Sequence, residues 1–78
     1  MQMPRYFFHV KRGQVTVLDQ DGIELADTAE AEGEAARRAR EELRKDGLQG
    51  KRGSGGTIII ADENWQPLFE FPFEDAKP

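Results

Sequence analysis

The chain has 78 residues, no cysteine and a formal net charge of -4, with 33% of its residues charged. That length holds one domain with one modest core, and the missing cysteines exclude disulfides and thiolate metal sites while fitting a reducing, cytoplasmic setting. The acidic balance argues against indiscriminate nucleic-acid binding, which needs a basic footprint, and no apolar run approaches the roughly 18 residues that span a membrane.

Met3-Pro4 reads as a natural start, and the N-terminus lacks the basic-then-apolar pattern of a signal peptide. The stretch Arg5 to Val10, Arg-Tyr-Phe-Phe-His-Val, concentrates three aromatics and the only histidine in six residues. As a strand it has two unlike faces: Tyr6, Phe8 and Val10 on one, Arg5, Phe7 and His9 on the other. The first face can anchor a core; the second is expected to be open. Arg12-Gly13 supplies a tight turn into Gln14 to Leu18, a second alternating, β-branched strand. Asp19-Gln20-Asp21-Gly22 is another turn, and Ile23 to Leu25 reads as a short third strand.

A helix follows. Asp27 is its expected N-cap with Glu30 three residues on, in a capping-box pattern, and Gly47 is its expected C-terminal stop. Glu34 with Arg38, Arg38 with Glu42, and Glu41 with Lys45 stand four apart, a spacing worth about 0.2–0.5 kcal/mol per pair. The buried stripe is read as Ala29, Gly33, Ala36, Ala39 and Leu43, all small but the last, so the sheet must supply the bulk. Gln49 to Gly56 reads as a flexible connector. Thr57 to Ala61 is a β-branched strand, and a hairpin loop over Asp62–Gln66 leads to Leu68 to Phe73. That last strand carries Phe69, Phe71 and Phe73 on one face, and Pro67 and Pro72 mark it as an edge.

The expected fold is α+β: a mostly antiparallel four- to five-stranded sheet with one helix packed on one face, in the order β-β-(short β)-α-β-β. The domain spans residues 4–74, with residues 1–3 and 75–78 expected to fray. If the third strand runs parallel to the first, Thr57–Ala61 does too, and a right-handed crossover sets it beside the first strand.

Met3 to Val10, then Asp21-Gly22-Ile23-Glu24-Leu25-Ala26-Asp27 ahead of an alanine- and arginine-rich helix, then Ile60-Ala61-Asp62-Glu63 with Phe71-Pro72-Phe73, resemble in order a family of short bacterial proteins of unknown function. The resemblance covers roughly residues 3 to 75 and implies a fold, with no catalytic residue or cofactor attached. Leu25-Ala26-Asp27-Thr28 before the helix is also similar, more weakly, to the junction of HicB-type antitoxins. The aromatic opening departs from their pattern, as does the lack of an appended DNA-binding segment.

The motifs favour structure over chemistry. His9 could be a general base or metal ligand, but it has no second histidine or cysteine to work with. Placing Gly22 at position six of a calcium loop puts Val17 at position one, which cannot ligate. The loop around Lys51, Arg52 and Ser54 could hold an anion on backbone N–H groups, although it precedes a strand and lacks a helix N-terminus. No catalytic site, metal or cofactor is assigned. The open sheet face, with Phe7, His9, Leu18, Ile59 and Leu68, is the expected interface. The expected function is a non-enzymatic protein-interaction module, a homodimer formed through the sheet face or edge. The alternatives are an antitoxin-like regulator that binds an unknown protein partner, and weak nucleotide or RNA binding through Lys51–Gly56.

Overall fold

The first strand, β1 (Arg5–Arg12), carries the rest of the fold. The computed structural model describes residues 3–48 and 55–76, with residues 46–48 as backbone only. β1 runs two residues past Val10 and turns at Gly13, whose φ of 59° suits glycine. β2 (Val15–Val17) then pairs antiparallel with the far end of β1, in the register Val10↔Val17, Lys11↔Thr16 and Arg12↔Val15. β3 (Ile23–Glu24) pairs with the near end, Arg5↔Glu24 and Tyr6↔Ile23, also antiparallel. Leu25 lies just outside this strand, its N–H donating to the Pro4 carbonyl at 3.1 Å.

β2 and β3 therefore run the same way along one edge of β1, and this corrects the expected topology. The third strand opposes β1, so the helix α1 (Thr28–Leu48) returns along it and β4 (Thr57–Ala61) descends antiparallel to β1. The neighbour was foreseen; its direction was not. β5 (Pro67–Pro72) completes the sheet in the order β2-β1-β4-β5, so the two prolines do sit on an edge strand. Phe73 leaves the strand and opens a 3-10 turn over Phe73–Ala76. The turn packs Phe73 and Ala76 into the core.

The core lies between this sheet and α1. Register rows Phe8–Ile60–Phe69 and Val10–Ile58–Phe71 face the helix together with Tyr6. The helix meets them with Ala31, Ala35 and Ala39, all fully buried, and with the partly buried Leu43. These residues repeat strictly every four positions, which corrects the expected stripe. Ala29 and Gly33 are exposed and Ala36 is half-buried, whereas Ala39 and Leu43 of the expected stripe do meet the sheet. Small residues still make the contact, so the bulk does come from the sheet. The N-terminal box forms: Asp27 Oδ1 accepts from the Glu30 N–H at 2.9 Å, and Glu30 reaches back to the Ala26 N–H at 2.8 Å. The helix does not stop at Gly47 but runs through it to Leu48.

Of the foreseen helix pairs, Glu34–Arg38 forms at 2.8 Å. Glu42 instead meets Arg12 of β1 at 3.2 Å, and Glu41 meets Arg44 at 2.7 Å. Arg38 is turned inward over the Phe8 ring, 4.6 Å from its centroid. Gly56 is fixed by crowding, since a Cβ there would stand 2.7 Å from the Phe73 ring and 3.0 Å from the Lys11 carbonyl.

Two substitutions separate the observed helix face from the expected one. A Cβ on Gly33 meets nothing within 4 Å, so Gly33→Ala is expected to raise stability by about 0.5–1 kcal/mol through helix propensity. Ala35→Leu overfills a fully buried contact and is expected to cost about 1–3 kcal/mol. Urea unfolding of the two variants measures both.

Candidate association interface

The face of β1 away from the helix is not open. Phe7 and His9 are 7% and 6% exposed, about as buried as Tyr6 on the other side. Trp65, in the β4–β5 loop, folds back over them. Its ring lies 5.4 Å from Phe7 and 4.9 Å from His9, at tilted angles. The loop is shaped for this by Asp62, whose Oδ1 accepts from the Asn64 and Gln66 N–H groups at 2.8 and 3.0 Å and whose carbonyl accepts from Trp65. Trp65 itself sits at φ 62°, a left-handed backbone that costs a residue other than glycine roughly 1–2 kcal/mol. Nothing in the sequence marks the loop tryptophan as a lid, because that depends on a positive φ at a residue that seldom adopts one.

The five residues expected to form an open interface here do not stand together at the surface. Phe7 and His9 are covered, Ile59 is half-buried, and Leu18 and Leu68 are exposed but stand at opposite edges of the sheet. Leu68 is the extra residue of a bulge in β5, since Ile60 pairs with Phe69 and Ala61 with Pro67. Lys51, Arg52 and Ser54 lie outside the described residues.

The titratable groups near β1 serve the backbone. N–H groups alternate along a strand, and those of Tyr6, Phe8, Val10 and Arg12 point to the β2/β3 edge. β3 takes Tyr6, and β2 takes Val10 and Arg12. Phe8 falls in the gap between them, where Asp19 Oδ2 accepts its N–H at 3.1 Å. Asp19 Oδ1 accepts from Asp21 and Gly22 at 3.1 Å each, and the Asp19 N–H donates to His9 Nδ1 at 2.9 Å. That last bond leaves the proton of neutral His9 on Nε2. Gly22 is required here: its φ is 69°, and a Cβ would stand 2.9 Å from Arg5, from Phe7 and from the Tyr6 carbonyl. Burial pushes the Asp19 carboxyl up, but the Gly22, Phe8 and Asp21 N–H donors and the Arg38 guanidinium, 3.9 Å away, outweigh it and hold it below the ordinary value.

What the fold leaves unfinished is β2. Among the described residues, α1 packs mainly on β4, β5 and the 3-10 turn, and the β2 valines stand outside its cover. Val15 and Val17 share the helix-side face with Arg12 and Val10, yet are 65% and 63% exposed. They floor a shallow groove with Val10, Arg12 and Glu42. The closing pair of a two-residue hairpin is the hydrogen-bonded one, so Val15 and Val17 bond inward to β1 and Thr16 turns its N–H and C=O outward. The opposite edge, β5, carries Pro67, Pro72, Glu70 and the bulge, all devices that discourage strand pairing. β2 has no proline, charge or bulge.

Replacing Trp65 separates its two contributions. Trp65→Ala loses the lid and keeps the strained backbone, whereas Trp65→Gly loses the lid and relieves the strain; the glycine variant is expected to be more stable by about 1 kcal/mol, measured by urea unfolding. Because folding lowers the Asp19 pKa, its stabilisation is complete above the unfolded value of about 3.9 and is lost as pH falls through the lower folded value. Asp19→Asn is expected to be less stable at neutral pH and to lose less stability on acidification than the wild type, as thermal melts across pH 2–7 would show.

A family model described as a domain of unknown function, DUF6894, matches residues 5–74. No curated protein and no solved structure matches the chain.

Proposed function

Because the chain belongs to the DUF6894 family, whose description carries no activity, we propose its function from its surfaces: a non-enzymatic module that works by protein association. It receives an extended segment of polypeptide along the free edge of β2. The observation that carries this reading is the contrast between the two sheet edges. One is blunted by prolines, a charge and a bulge; the other presents Val15 and Val17 more than half exposed beside outward backbone groups. Strand addition takes affinity from such main-chain groups and specificity from alternate side chains. The groups best suited to acid–base chemistry support the same reading, since His9 Nδ1 and both Asp19 carboxylate oxygens are committed to backbone N–H donors.

Extended peptides selected for binding from a random library test this. Bound peptides are expected to shift the amide resonances of Gly13 to Leu18 and to leave β5 in place. Val17→Lys is expected to weaken them at least about tenfold, or 1.4 kcal/mol, with the fold unchanged by circular dichroism. Selected peptides that bind away from β2, or that ignore Val17→Lys, would contradict the proposal.

A further inference from the structure

Resting on the reading of β2 as the association edge, we infer that its occupant is a second copy of this chain, docked antiparallel with Thr16 on the twofold axis. The strand Val15-Thr16-Val17 reads the same in both directions. An antiparallel pair centred on Thr16 therefore sets Val15 of each copy opposite Val17 of the other. It also sets the two outward Thr16 backbones against each other, where they exchange both N–H···O bonds.

The neighbouring strands extend the match. On the helix side the register makes two equivalent rows across four strands. Each runs Arg12, Val15, the second copy's Val17 and the second copy's Val10. The exposed valines are thus enclosed by valines, and each row ends on the Arg12 already held by Glu42 at 3.2 Å. On the other side the row is Lys11, Thr16, then the second copy's Thr16 and Lys11. The two lysines stand three strand spacings apart, about 14 Å, beyond the roughly 8 Å over which exposed charges interact at physiological salt. A molecule of net charge -4 thereby meets its copy through Gly13 to Leu18, a segment without a charged residue. Twofold pairing leaves both helices on the same side of one continuous sheet, each packed mainly on β4, β5 and the 3-10 turn of its own copy and bordering the valine row through Glu42. The short edge implies a small interface and a reversible dimer.

Sedimentation equilibrium, single-cysteine cross-linking and one proline variant test the inference together. Wild-type protein is expected to associate reversibly to a dimer. The chain has no cysteine, so Thr16→Cys introduces a lone thiol. Facing residues in this pair have Cα atoms about 5.5 Å apart, within disulfide reach. Oxidation of Thr16→Cys is expected to yield a linked dimer, whereas Glu70→Cys on β5 remains mostly monomeric. Thr16→Pro removes an N–H that faces away from β1 and is expected to be a monomer; if it does not fold, Val17→Lys takes its place. A wild-type monomer at high micromolar concentration overturns the second copy as occupant. Selected peptides that still bind β2 would then leave the association reading standing, and their absence would remove both. A dimer that survives Thr16→Pro, or whose Thr16→Cys thiols do not link, also overturns the inference.

Discussion

The fold turns on one carboxylate standing where a strand should be. Along its outer edge β1 is paired at Tyr6 by β3 and at Val10 and Arg12 by β2, and the Phe8 N–H between them is taken by Asp19. A backbone donor buried without a partner costs about 1–3 kcal/mol, so the chain cannot break from β2 to β3 unless something fills that gap. Asp19 fills it, and the same side chain closes the turn that makes the break through Asp21 and Gly22. His9 accepts the Asp19 N–H from beneath, and Arg38 approaches from the helix. One residue thus ties both faces of the sheet to its edge.

The break determines what remains exposed. Because β2 and β3 share an edge and a direction, the helix that follows must straddle β1 and deliver β4 to its other side. The helix settles over β4, β5 and the terminal 3-10 turn, where Phe73 and the two isoleucines Ile58 and Ile60 supply the bulk its alanines lack. Trp65 closes the opposite face over Phe7 and His9. With both faces of β1 covered and β5 blunted, the β2 margin is the exposed strand edge that remains among the described residues.

Much of this was legible in the chain. Alternation, β-branched runs and turn signals found the strands, and Asp27 with Glu30 found the start of the helix, because those signals act over a few residues. Strand direction was missed, since it depends on whether the acidic turn reverses the chain or lets it continue, and the Asp19 contact with Phe8 that decides this spans eleven residues. The helix stripe was displaced because alanine and glycine are too frequent along the helix to mark a face by pattern alone. Phe7 and His9 were expected to face a partner; their partner is Trp65 of the same chain, a long-range contact without a local trace. The exposure of Val15 and Val17 was hidden for the opposite reason, as β-branched alternation signals a covered strand and cannot show that the helix lies elsewhere.

Amide hydrogen exchange at a series of protein concentrations tests the central claim most directly, because it reads the inner and outer edges residue by residue. The Phe8 amide is expected to be protected at every concentration, and the Thr16 amide to pass from free exchange in dilute solution to protection as concentration rises. Thr16 exchanging freely throughout, or Phe8 exchanging as an open amide, would contradict the account.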